Sequence, residues 1–188
     1  DNVYEVTVEV SDGSLTDTQV ISVTVTDVDE FDVTAPTDVN ATADAVNENA
    51  ANDTLVGITA SASDADATTN GITYSLFDNA GGRFKIDGAT GVVAVADGTL
   101  LNREADATHD ITIRATSDDG STADSTFTIA INDVDEFDVT APADVNVTAD
   151  AVDENAANDT LVGLTASAGD EDATTNGITY SLFDNAGG

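Results

Sequence analysis

Residues 27–36 read Asp-Val-Asp-Glu-Phe-Asp-Val-Thr-Ala-Pro, and residues 133–142 repeat them letter for letter, 106 positions later. The identity does not stop there. Tyr74-Ser75-Leu76-Phe77-Asp78-Asn79-Ala80-Gly81-Gly82 returns at 180–188 with the same offset, and 31–82 is nearly the same text as 137–188. A repeat of about a hundred residues is the size of a domain, not of a solenoid turn. Residues 1–30 match the end of the same unit. Val6, Val8 and Val10 fall on Ile111, Ile113 and Ala115, and Val23 and Val25 fall on Ile129 and Ile131. The chain therefore reads as the tail of one repeat (1–30), one complete repeat (31–136) and the first half of a third (137–188).

Inside the complete repeat, alternating apolar and polar residues predict seven strands, at 37–43, 54–62, 72–78, 83–87, 91–96, 109–117 and 124–132. Asn70-Gly71, Asp87-Gly88, Asp97-Gly98 and Asp119-Gly120 punctuate them as turns. Seven short strands and no helical period predict an all-β, two-sheet sandwich. The expected core is Val56, Ile58, Ile72, Tyr74, Leu76, Phe84, Ile86, Val93, Val95, Leu101, Ile111, Ile113, Phe127, Ile129 and Ile131.

The chain carries 37 acidic residues against 4 basic ones, a formal net charge of -33. Four scattered cations cannot make the basic stripe that nucleic acid requires. An anionic membrane surface would repel the chain, and no segment is apolar enough to span a bilayer. Two uses of the acid remain: holding a hard divalent cation, or solvating the surface. There is no cysteine, so no disulfide supplies stability. The opening residues already read as mid-domain strand, which places any targeting signal outside the chain.

The most exactly repeated acids sit at strand ends, which in a sandwich gather at two poles. They are Asp133-Val134-Asp135-Glu136, Asn47-Glu48-Asn49, Asp64-Ala65-Asp66, Leu101-Asn102-Arg103-Glu104 and Asp118-Asp119-Gly120. Gathering carboxylates on a rigid frame is unfavourable unless a cation sits among them. Calcium takes six to eight oxygens of this kind. Asp27 to Asp32 lacks the glycine and closing glutamate of an EF-hand. His109, the single histidine, has no nucleophile marked beside it. With no tryptophan and few aromatic residues there is no platform for a glycosidase site.

In this order along the chain, these motifs resemble those of the cadherin fold. Asn47-Glu48-Asn49 is similar to its x-Glu-x motif, and Leu101-Asn102-Arg103-Glu104 to Leu-Asp-Arg-Glu. Asp64-Ala65-Asp66 is similar to Asp-x-Asp, with Asn70 as a further partner. Asp118 is similar to the top-loop aspartate, and Asp133-Val134-Asp135-Glu136 to the linker Asp-x-Asn-Asp. The wording around them resembles bacterial cadherin-like repeats of large secreted or cell-surface adhesins. The resemblance implies tandem seven-stranded Greek-key (Ig-like) sandwiches, one complete and two partial. It also implies Ca2+ at the seams between repeats. At the first seam the implied ligands are Asp29, Glu30, Asp64, Asp66, Asn70 and Asp118. At the second they are Glu48, Asn102, Glu104, Asp135, Glu136, Asp170, Asp172 and Asn176.

Asn102 stands where the resembled motif has Asp, and Phe31-Asp32-Val33-Thr34 is an insertion expected to lengthen the seam. Calcium accounts for only part of the charge; the rest is assigned to solubility. The expected function is an extracellular, non-enzymatic spacer whose partners are the neighbouring repeats of the same chain. The alternative is a module binding polysaccharide or like repeats on another cell.

Overall fold

The computed structural model describes residues 2–26, 28–66 and 68–184; Asp1, Asp27, Ala67 and residues 185–188 lie outside them. Two four-stranded sheets pack face to face between Val33 and Asn132. One has the order β4(Ala45–Asn47), β10(Thr122–Asn132), β9(Thr108–Ser117), β6(Ile72–Asp78). The other has the order β3(Thr37–Asp38), β5(Leu55–Ser61), β8(Val92–Val95), β7(Phe84–Ile86). All pairings are antiparallel except β4 with β10, which is parallel.

The two-residue period sends every second side chain inward. Val56, Ile58 and Ala60 of β5 meet Ile111 and Ile113 of β9, Ile129 and Ile131 of β10, and Phe84, Val93 and Val95. Each of these large side chains, once fully buried, contributes about 1.5–3 kcal/mol. Tyr74, Leu76, Ile86 and Phe127 pack against that cluster from partly buried positions, and Ile72 is half-buried.

The strand expected at 37–43 is broken. β3 pairs with β5 in one sheet, the chain crosses over at 39–44, and β4 joins the other sheet beside β10. Three contacts fix the crossing. Asp38 Oδ1 accepts the Asn40 and Thr59 N–H groups, at 2.9 and 2.8 Å. Ala130 N–H donates to Asp44 O at 2.9 Å. Gly57, at φ 92°, lets the Ala43 carbonyl come close; a Cβ there would lie 2.2 Å from that oxygen. The crossing also delivers Val46 to the core, a position the expected strand did not reach.

The Phe31–Thr34 insertion does not loosen the seam. Val33 is buried, its N–H donates to Ser121 Oγ at 2.9 Å, and Thr34 N–H donates to Ser63 O at 2.8 Å. The insertion is stitched onto the end of the sandwich.

Outside the sandwich, β1(Val3–Ser11) and β2(Thr16–Thr24) form an isolated hairpin exposed along its whole length. Beyond residue 137, among the described residues, only β11(Ala143–Asp144) and β12(Ala166–Ser167) pair, two residues each. No described helix is long and apolar enough to cross a membrane.

Candidate metal centres at the two seams

Where the linker 133–136 leaves the sandwich, one ligand oxygen each from Glu48, Glu104, Asp133 and Glu136 lies within 4.8 Å of the others. Glu48 is the foundation. It follows β4, is 2% exposed, and spends its two oxygens on backbone donors from two different segments. Oε2 accepts Arg103 N–H at 2.6 Å, and Oε1 accepts Val134 N–H at 2.9 Å. The buried Leu101 holds the Asn102–Glu104 loop in place. Glu104 Oε1 accepts Ala173 N–H at 3.2 Å, and Asp133 Oδ2 accepts Thr174 N–H at 2.9 Å and the Thr174 hydroxyl. Side chains of the sandwich thus bind the backbone of the next segment directly.

A second group at the same seam centres on Asp172, 1% exposed. Its Oδ1 accepts Glu136 and Phe137 N–H at 3.2 and 3.3 Å, and its own N–H donates to Asp170 Oδ1 at 3.2 Å. Asp135 lies against it, close enough for their carboxyls to share a hydrogen bond.

The other seam repeats this second group. Asp66, 3% exposed, accepts Glu30 N–H at 3.1 Å and Phe31 N–H at 3.4 Å, and donates its N–H to Asp64 Oδ1 at 3.0 Å. Asp29, Asp66 and Asp119 place ligand oxygens within 4.8 Å of one another. Asn70 Nδ2 donates to Asp66 O at 2.6 Å.

The structure brings most of the expected residues together but distributes them differently. Asp133, read only as part of the linker word, joins Glu48, Glu104 and Glu136. Asp119, not its neighbour Asp118, meets Asp29 and Asp66; the Asp118 carboxylate lies against Gly71, where a Cβ would stand 2.3 Å from it. Asn102 is turned into its own loop, its Oδ1 accepting Ala105 N–H at 2.6 Å. Glu30 and Asn176 are exposed; the backbone N–H of Glu30 serves Asp66.

Crowding perturbs the titration of these acids. Burial, then the charges of Glu48, Glu104 and Asp172, push the Glu136 carboxyl up. Asp135 is raised by its hydrogen bond to Asp172 and by that residue's charge. Burial, then Asp119 and Asp66, raise Asp29. Glu104 is pulled down by its own backbone N–H, but burial and the charge of Glu48 outweigh that, and it too is raised. Asp133 goes the other way, lowered first by the Thr174 hydroxyl. Burial raises Asp172, and the Glu136 and Phe137 N–H groups more than offset it, leaving it lowered.

The donor set is one a calcium ion fits. It consists of hard carboxylate oxygens, and four of them are buried with no hydrogen-bond partner: Asp64 Oδ2, Asp119 Oδ2, Asp133 Oδ1 and Asp172 Oδ2. A desolvated anionic oxygen without a donor is costly. Two such charges 4 Å apart repel by about 1 kcal/mol in bulk water and about 4 kcal/mol near a protein surface. A dication among them reverses both terms.

Residues 44–132 match the cadherin domain family model. The chain is 36% identical over 144 residues to human Protocadherin Fat 1, covering 74% of this chain and 3% of that protein. The human CDH23 EC21-23 crystal structure superposes with a TM-score of 0.62 at 21% identity, covering 92% of this chain and 55% of the other. Mouse Protocadherin-24 EC1-3 does so with a TM-score of 0.61 at 22% identity, covering 94% and 58%. The fold is a cadherin-like β-sandwich. Cadherin domains are typically extracellular adhesion modules, and they bind calcium.

Proposed function

We propose that this cadherin-like chain is a calcium-stiffened spacer of an extracellular adhesin, with 31–136 as its complete repeat and 1–30 and 137–188 as parts of its neighbours. The observation that carries this reading is the set of four buried, partnerless carboxylate oxygens, all at the seams. Glu48, Glu104, Asp133 and Glu136 would hold calcium at the second seam, with Asp135, Asp170 and Asp172 beside them. Asp29, Asp66 and Asp119 would hold it at the first, with Asp64 and Asn70 alongside. Bound there, calcium supplies the positive charge that lets these oxygens sit together. The protein's own part is to preorganise them. Glu48 ties the loop at Arg103 to the linker at Val134, and Asp172 ties the following segment to the same linker.

The repeated wording Glu-Asn-Ala-Ala-Asn and Asp-Asn-Ala-Gly-Gly supports a bacterial, biofilm-type adhesin. Near-identical copies suit a stalk, which needs length more than variety. The shallow depression beside Asp53, Leu55, Lys85 and Asp87 has no aromatic lining on which a sugar could stack. The geometry supports a structural role.

The test is calorimetric calcium titration combined with thermal unfolding. Calcium at about a hundred times its dissociation constant stabilises by about 2.7 kcal/mol. Glu48→Ala with Glu104→Ala should lose most of that gain. Superimposable melting curves in calcium and in chelator would sink the proposal.

A further inference from the structure

Asn70-Gly71 is the one asparagine–glycine pair of the complete repeat, and Asn176-Gly177 is its copy 106 residues on. Asn70 is exposed although its own sandwich is complete. Asn176 is exposed although the sandwich preceding it is complete, so neither neighbour covers this position. Asn70 and Gly71 lie just ahead of β6, outside any strand. The Gly71 carbonyl accepts Asp118 N–H at 2.9 Å; among the described residues, none accepts the Gly71 N–H. Packing imposes the glycine, because a Cβ there would stand 2.3 Å from Asp118 Oδ2. The nitrogen that follows Asn70 is therefore not shielded by a side chain of its own residue. The Asn70 amide is held only through Nδ2, which donates to the Asp66 carbonyl at 2.6 Å.

We infer that Asn70 is a site of spontaneous covalent modification, and that its conversion loosens the first seam. The Gly71 nitrogen closes on Asn70 Cγ, forming a C–N bond and a five-membered imide. The Cγ–Nδ2 bond breaks, and the proton lost from Gly71 N passes through solvent to the departing nitrogen, which leaves as ammonia. Water then opens the imide on one side or the other. Opening at Cγ leaves aspartate at position 70. Opening at the backbone carbonyl leaves isoaspartate, with one more methylene in the main chain immediately before β6. No oxidant or reductant is needed; the sum is one water taken up and one ammonia released. Either product replaces a donor by an anion against the Asp66 carbonyl oxygen. Asp66 is the residue that grips the linker through the N–H groups of Glu30 and Phe31. A carboxylate facing that carbonyl repels it, so the loop and its grip on Glu30 slacken.

The test is to incubate the full chain in chelator at mildly alkaline pH, so that no step depends on calcium. Peptide mass spectrometry should find the mass gain of an amide becoming an acid at positions 70 and 176, and isoaspartyl methyltransferase should label the same peptides. Asn79 and Asn102 should remain amides. Ala80 and Arg103 follow them, and their side-chain oxygens already accept Gly82 and Ala105 N–H. G71A combined with D118A, which removes the clashing carboxylate, should lose conversion at 70 and keep it at 176. D118A alone should convert at both, which separates the added methyl group from any disturbance of the loop. The Glu30 amide should exchange faster in N70D than in the wild type. A wild type that keeps its Asn70 amide while Asn176 converts would overturn the inference, as would undiminished conversion at 70 in the double variant. An N70D chain whose Glu30 amide exchanges at the wild-type rate would overturn the consequence for the seam.

Discussion

Residues 37–78 and 143–184 are nearly the same sequence in two surroundings. Their turns and side-chain caps are the same. Thr37 and Asp38 pair with Ser61 and Ala60, and Ala143 and Asp144 pair with Ser167 and Ala166. Tyr74 Oη accepts Ala62 N–H at 2.9 Å, and Tyr180 Oη accepts Ala168 N–H at the same distance. Asn49 and Asn155, Asp53 and Asp159, Gly57 and Gly163 share positive φ. The burial is opposite. Val56 and Ile58 are 0% and 1% exposed, whereas Val162 and Leu164 are 46% and 58% exposed. β6 is a strand beside β9, and its counterpart, with no such neighbour, is not. Turns, bulges and side-chain caps are therefore written locally. The core, and any strand whose partner lies far along the chain, are written by residues 84–131.

The largest expected effect tests that division directly. Ile58→Ala should cost about 2–5 kcal/mol in urea unfolding, because it empties a filled core site. Leu164→Ala, at the matching position, should stay within about 0.5 kcal/mol. Appending a copy of residues 83–132 after Gly188 should turn Leu164→Ala into a mutation of the first kind. Equal costs in the present chain would mean that 143–184 closes its own core.

A smaller effect is expected at the two tyrosines. Tyr74→Phe removes a hydrogen bond next to the core and should cost about 1 kcal/mol. Tyr180→Phe removes an identical bond from a segment outside the cooperative unit. It should leave the unfolding midpoint unchanged while speeding exchange of the Ala168 amide.

The smallest effect is a pH dependence. The Thr165 and Asn146 N–H groups hold the Asp144 carboxyl below its usual range. A depressed folded-state pKa contributes stability above the unfolded value, and that contribution is lost as pH falls through the folded one. Protection of the Thr165 amide should therefore disappear on acidification below the ordinary carboxylate range. Asp144→Asn should show weak protection at every pH. An amide whose exchange follows only the intrinsic pH law would break the claim that Asp144 organises this ladder.

Much of this was legible in the residues themselves. Strict alternation at Ile111, Ile113 and Ala115 and at Val93 and Val95 announces strands, because both the period and the buried face are local properties. The break at 39–44 was not legible, since it depends on Gly57 meeting a carbonyl from a distant strand. The carboxylate clusters at the seams were half legible. Paired acids such as Asp118-Asp119 and Asp133-Val134-Asp135 mark the place. Which member faces inward depends on backbone direction at a strand end, and neighbouring side chains point to opposite sides. Asp119 was not singled out for that reason; Asp133 was not because two acids of one linker serve different clusters of the same seam, Asp133 with Glu48, Glu104 and Glu136, and Asp135 with Asp172.

One feature of the sandwich bears on how such a chain would carry load. β4, near the entry of the chain, runs parallel to β10, at its exit. Tension along a tether pulls the first toward one pole and the second toward the other. The force runs along the strands, so the hydrogen bonds of Ala45–Asn47 with Ala130–Asn132 are sheared together instead of being unzipped one by one. Glu48, directly after β4, also grips Val134, directly beyond β10, so the shear patch is clamped at its exit end. The same short strand that closes the core thus acts as a mechanical latch.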